Sequence, residues 1–418
     1  MDSRRIRQIL YALATVLLIA HLIPPGVEQI HWDYQTRYLA AKMVLAGANP
    51  YNSQQMSYFA GEKIVYPYVY PPPTLLFSIA FSFVDYPSSS LMYLLFQIAC
   101  FLGLIFMWHT FFFKEKTDDL FLPFCVLAFN YTVLRDIRAG NVSIFEQLIL
   151  WSAFYFFIKN RSRLFTYLVV IASSFKLTPM AFVGVGLFSQ NKQRIYFTLL
   201  GVGLFISYFA ASYVLAPKLS ADYVDNFIFT LAEKGGERGA VNPSSQALIN
   251  DVVSFFTVVI LGVGWQNLYG LPFYLAYLAF VYFLSKPVFI NLLKSNKVGD
   301  KLKLVLFSTL VYAIVIPRFK DYSYILLIPA AYYLLTRYAA KIPKNALLAL
   351  LLIPLPKAFK ILVVDTLIPL KDHPLFSPIT SSEFFWRLIS DASYFLNYQP
   401  FLAAVIIWVY YLRVLSKK

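Results

Sequence analysis

The sequence predicts an all-helical polytopic membrane protein, and three observations carry that expectation. Of 418 residues, 59% are hydrophobic and only 14% are charged, with a mean hydropathy of +0.62, whereas a soluble domain has about 25% charged residues. The apolar runs are long and lack period-2 alternation, which excludes a β-barrel. Short basic clusters separate them, as cytoplasmic connections between spans do. Lipid must therefore supply most of the outer contact, and residues 1–418 are expected to form a single membrane-embedded domain.

The net charge of +15 comes from 36 Lys and Arg against 21 Asp and Glu. The basic clusters are Arg4 to Arg7, Lys114 with Lys116, Lys159 to Arg163, Lys192 with Arg194, Lys294 to Lys303, Arg337 to Lys344, and Arg413 to Lys418. Their confinement to short connections argues against nucleic acid as a partner. It also fixes one side of the membrane, so the remaining connections follow by parity.

The basic start leads into an apolar run, Ile9 to Ile23. It can also be read as a signal peptide, but no small-x-small cleavage site precedes Pro24-Pro25, so a retained first helix is expected. Residues 26–73 form a long outer segment. Within it Tyr38, Ala41, Val44 and Leu45 recur at helical spacing, which predicts an amphipathic helix along the membrane surface. Gly47 ends that helix and Pro71 to Pro73 suit the first turn of the next. Leu91 to Phe113 returns, Leu120 to Leu134 goes out, and Ser143 to Ile158 comes back, leaving Arg135 to Asn141 outside.

The apolar stretch Leu164 to Phe188 has basic clusters at both ends and Phe175-Lys176-Leu177-Thr178-Pro179 in its middle. Each half is shorter than the roughly 20 residues of a full span, so a broken hairpin is predicted with Lys176 near its outer turn. Ile195 to Ala216 leads to a polar outer loop at 217–250. Residues 252–293 must cross an odd number of times, yet they hold separate apolar pieces around Gln266-Asn267. Leu304 to Ile316 goes out, Arg318 to Asp321 makes a tight outer turn, Tyr324 to Leu335 returns, and a last pair of spans encloses an outer loop at 360–391. About ten to thirteen spans or half-spans result, at roughly 20 residues per full span. No internal repeat or pair of matching halves is visible. Cys100 and Cys125 lie in apolar runs and are expected to be buried thiols.

Ionisable groups at membrane depth or at its edge are functional candidates. On this topology Asp33, Arg135, Asp136, Arg138, Asn141, Lys176, Arg318, Lys320 and Asp321 gather on the outer side. A carboxylate with several cations suits transfer of a sugar from a lipid-linked phosphate. The acceptor hydroxyl needs a base within hydrogen-bond range. The departing phosphate needs fixed cations, bidentate from Arg or as a point charge from Lys. Local ion pairs, Arg135 with Asp136 and Lys320 with Asp321, are an equally open reading of the same charges.

An Asp just outside the first span, a Tyr five residues on, then Gly47-Ala48-Asn49-Pro50-Tyr51 and Tyr70-Pro71-Pro72 at the next helix resemble glycosyltransferase family 87. These are polyprenyl-phosphate-sugar-dependent enzymes of the GT-C membrane fold, and they include bacterial α-mannosyltransferases. The resemblance extends to Arg138-Ala139-Gly140-Asn141, Lys176-Leu177-Thr178-Pro179, Asn242-Pro243-Ser244-Ser245 and the Pro317 to Tyr324 turn. It implies an enzyme that moves a hexose, mannose first among them, with inversion from a polyprenyl-phosphate donor to a lipid or glycan acceptor. It also implies Asp33 as catalytic base and Lys176, Arg318, Lys320 and Arg138 near the donor phosphate. Tyr38, Asn141, Asp321 and Asn242 are then expected to contact donor or acceptor. The chain departs from the family where members have Gly-Gln in place of Gly140-Asn141, Asn-Gln-Ser in place of Asn242-Pro243-Ser244, and a His in the later turn. Lys or Arg contact is the expected substitute for that His.

Other readings stay open. Tyr38 and Tyr51 also suit interfacial aromatics. His373 also suits a solvated loop, and His21, His31 and His109 have no partner visible in sequence. No metal signature is present, so a metal-free mechanism without cofactor is expected. A transporter or lipid flippase is the competing function, and an oligosaccharide ligase a third. The expected setting is a multi-pass protein of a bacterial inner membrane, surrounded by membrane lipids, with its active site facing the periplasm or exterior.

Overall fold

The computed structural model describes residues 31–416 apart from 63–67, 115–116, 189–191, 235–236, 263–266, 296 and 360–393, together with 8–9, 11–16 and 19. Part of the run at 9–23 and the whole of the loop expected at 360–391, His373 included, lie outside the described residues. Among the described residues the chain is helical throughout, with no strand.

The helices are α1 (Trp32–Leu45), α2 (Ser53–Ala60), α3 (Leu75–Ile79), α4 (Tyr86–Met107), α5 (Phe121–Ala139), α6 (Ser143–Ile158), α7 (Ser162–Phe175), α8 (Lys192–Leu215) and α9 (Pro217–Lys234). They continue with α10 (Ser245–Ser254), α11 (Leu271–Lys294), α12 (Val298–Val315), α13 (Ile328–Arg337), α14 (Lys344–Leu352), α15 (Leu355–Phe359) and α16 (Gln399–Leu415). Tyr86–Phe113, Ile195–Leu215 and Leu271–Lys294 are long and apolar enough to cross a membrane, and α5 with α6 forms a further apolar pair bent by 117°. The protein is an integral membrane protein.

The sequence signals explain where the helices stop. Asp85 caps α4 by accepting from Ser88 N at 3.3 Å, with proline in the first turn. Gly47 follows α1 with φ 73, and Pro72 opens the short turn before α3. The break after α7 falls at Lys176, whose backbone is extended, and a 3-10 run resumes at Thr178. Residues 252–293 resolve into one long helix, α11, preceded by shorter helical pieces. The segment 217–250, expected as a polar loop, is mostly α9 and the start of α10. Its apolar residues repeat at helical spacing among the polar ones, and composition alone hid that period.

In α5 the residues Ala128 to Tyr131 leave helical geometry, and Phe129, Asn130 and Tyr131 have φ of 53, 62 and 49. Such left-handed backbone is rare outside Gly, Asn and Asp.

The chain divides into two compact units. One comprises Met1–Leu122, Val133–Gly235 and Leu292–Val305, the other Pro123–Thr132, Gly236–Asn291 and Leu306–Lys418. In the first unit an aromatic cluster anchors α1. Tyr34 stacks on Tyr93 of α4 with ring centroids 4.3 Å apart and an interplanar angle of 12°, and Phe77, Phe81, Tyr86 and Phe96 pack around the pair. Stacked aromatic pairs of this kind add about 0.5–1.5 kcal/mol beyond the area they bury.

Candidate functional site

In the first unit, Asp33 lies in the first turn of α1 and is half-buried. Its Oδ2 accepts a hydrogen bond from the Asn141 side-chain amide at 2.6 Å. Among the described residues its other carboxylate oxygen has no hydrogen-bond partner, so a proton-accepting site stays open.

Asn141 is 1% exposed. Its Oδ1 accepts from Val142 N at 2.8 Å, Ser143 N at 3.1 Å and Ser143 Oγ at 2.9 Å. Two of these donors are backbone amides, so the oxygen must face them, and the NH2 group is left to point at Asp33. The arrangement satisfies two buried amides at the start of α6 that have no partner within the helix. The Tyr70 hydroxyl lies 3.5 Å from the same NH2 group.

The turn that carries Asn141 is shaped by Gly140, which has φ 64. A Cβ there would lie 2.7 Å from Tyr34 Cβ and 3.1 Å from His31 Cβ, so only glycine allows this approach to α1. His31 N donates to Arg138 O at 2.9 Å, and the Arg37 guanidinium donates to Gly140 O. His31 Nδ1 meets Ser90 Oγ at 2.7 Å. Burial, and then the charge of Arg37, pushes the His31 imidazole down to about 4.

The network extends to Lys176, whose ammonium donates to Ser143 Oγ and lies 3.0 Å from Glu146 Oε2. That carboxylate oxygen is buried, and its contact with Lys176 is an ion pair. The chain Asp33, Asn141, Ser143, Lys176, Glu146 thus runs unbroken.

Two expected residues of this unit stand apart from the chain. Tyr38 is buried and its hydroxyl donates to Val84 O at 2.9 Å. Arg138 is half-buried, and its guanidinium forms no ion pair with any described residue.

The second unit holds the later cations. Arg318 Nη2 lies 2.6 Å and Lys320 Nζ 3.8 Å from Glu237 Oε2, so two positive charges share one negative. The Asn242 side chain is engaged by backbone, accepting from Phe319 N at 2.9 Å and donating to Glu237 O at 3.2 Å. Ser244 Oγ donates to Pro317 O at 2.6 Å, and Tyr324 OH to Pro243 O at 2.6 Å. The Asn242 to Ser245 segment therefore fixes the Pro317 to Phe319 turn. Asp321 is half-buried, and its carboxylate accepts from the amide of its neighbour Tyr322 at 2.8 Å.

Reading the sequence missed Ser143, Glu146, Glu237 and Arg37. Glu146 had a signal, since it is the one charged residue in the apolar run Ser143 to Ile158. Arg37, one turn beyond Asp33, had a weaker one. Glu237 had none, being 81 residues from Arg318.

The family model of glycosyltransferase family 87 matches residues 68–317. No curated protein and no solved structure matches the chain.

Proposed function

The chain belongs to glycosyltransferase family 87 and is a membrane glycosyltransferase; from that premise we propose that it transfers mannose, with inversion, from a polyprenyl-phosphate donor to a lipid or glycan acceptor on the extracytoplasmic face. Family membership sets aside the transporter reading. Supporting the reading most directly is the Asp33 carboxylate, with Oδ2 held by Asn141 at 2.6 Å and its second oxygen open.

In the proposed step the acceptor oxygen attacks the anomeric carbon as its proton passes to Asp33. The bond from that carbon to the phosphate oxygen breaks with its electron pair, and the phosphate changes from diester to monoester, gaining negative charge. A single fixed donor on Oδ2 orients the carboxylate and leaves its second oxygen open. Lys176 answers the charge growing on the phosphate. Arg138, Arg318 and Lys320 are assigned to the donor phosphate on their chemistry alone, and Tyr38, Asn242 and Asp321 to substrate contact with less support, because their polar groups are engaged by backbone.

Purified protein in lipid nanodiscs is given polyprenyl-phosphate-mannose, with and without acceptor, and release of polyprenyl phosphate is measured. Release should require acceptor. Asp33→Asn should bind donor and transfer no sugar; near-normal turnover by that variant would remove Asp33 from the mechanism.

A further inference from the structure

Arg37 lies one turn past Asp33 on α1 and is 3% exposed. A buried guanidinium is costly unless charged partners compensate it, and no described carboxylate pairs with Arg37. Its partners are of another kind. It donates to the Gly140 carbonyl, its Nε lies 3.5 Å from the Asp33 carbonyl, and its guanidinium sits 4.6 Å from the Tyr93 ring centroid and 5.6 Å from that of Tyr34. All of these flank the junction between Asp33 and Asn141.

The Gly140 carbonyl belongs to the same planar peptide as the Asn141 nitrogen. Fixing that oxygen fixes the plane from which the Asn141 side chain departs. We propose that Arg37 is a positioning residue, clamping the Gly140–Asn141 peptide to α1 so that the Asn141 amide stays on the Asp33 carboxylate. The proposal rests on the reading of Asp33 as the base. It accounts for a cation where an apolar side chain would be cheaper to bury. Lysine cannot replace it, because one ammonium cannot sit over the Tyr93 ring and still reach Gly140 as a guanidinium does.

The test is a double-mutant cycle on kcat in nanodiscs with polyprenyl-phosphate-mannose, combining Arg37→Met with Asn141→Ala. Arg37→Met should lower kcat by about 100-fold, as misplacement of a catalytic group by about 1 Å does, with the donor KM within about twofold of wild type. In the Asn141→Ala background the same change should cost less than about threefold, because the group it positions is gone. Losses that multiply would overturn the proposal and leave Arg37 a packing residue. If gel filtration shows that Arg37→Met does not fold, Arg37→Lys carries the same cycle. Asp33→Asn is measured alongside. Full turnover there removes the base and the proposal together, whereas inactivity there with multiplying losses in the cycle removes only the role of Arg37.

Discussion

Gly140→Ala tests how closely α1 must approach the turn that carries Asn141. The new Cβ would start 2.7 Å from Tyr34 Cβ and 3.1 Å from His31 Cβ and Cγ, all on or beside the first turn of α1. Reaching 3.4 Å, where carbon contact becomes ordinary, needs about 0.7 Å of separation. Applied along the Asp33–Asn141 bond, that displacement would carry 2.6 Å past the roughly 3.2 Å outer end of N–H···O bonds. A side chain at φ 64 adds about 1–2 kcal/mol of backbone strain, and overpacking about 1–3 kcal/mol. Gly47→Ala is the matched control, since φ there is 73 with nothing within 4 Å of the added carbon. Both variants should lose stability in thermal unfolding, Gly140→Ala by the larger amount. Only Gly140→Ala should lose sugar transfer, by about 100-fold. Equal rates and equal unfolding midpoints in the two variants would refute the close-approach argument.

Asn141→Asp should abolish transfer near neutral pH, because it sets a second carboxylate against Asp33 in place of a donor, and two carboxylates that close do not both ionise; wild-type turnover would contradict this. Glu237→Gln should lower the donor KM by up to about fivefold, the equivalent of the up to about 1 kcal/mol of a partly exposed pair, if Arg318 and Lys320 meet phosphate; a raised KM would argue that Glu237 organises the turn instead. His31 carries a pH signature. Its imidazole titrates near 4 in the folded protein against 6.5 for the free group, so the unfolded chain binds the extra proton first and stability falls as pH drops from 6.5 toward 4. The full loss is about 3 kcal/mol at 1.36 kcal/mol per pH unit. His31→Asn, which suits the left-handed backbone at that position, should remove this component; identical pH dependence of unfolding in the two proteins would contradict the assignment.

Much of this was legible because it is local. The Lys176 break, the Gly47 stop and the proline start at Pro72 are each set by a few adjacent residues, and the membrane class follows from composition. Asn141 was legible as a candidate, but its orientation was not, because it depends on three donors arranged by the start of α6. The pairing of Lys176 with Glu146, across 30 positions of sequence, and of Arg318 with Glu237 left no periodic trace. The helix α9 was hidden for the opposite reason, since a polar composition outweighed its helical period.

The reversal of hand at Phe129 to Tyr131 in α5 has a geometric consequence. A helix advances 100° per residue only while its dihedrals keep one sign, so three left-handed residues reset the angular count. The 100° count therefore ends at Ala128, and cysteine-accessibility scanning along α5 should lose its helical period across Phe129 to Tyr131.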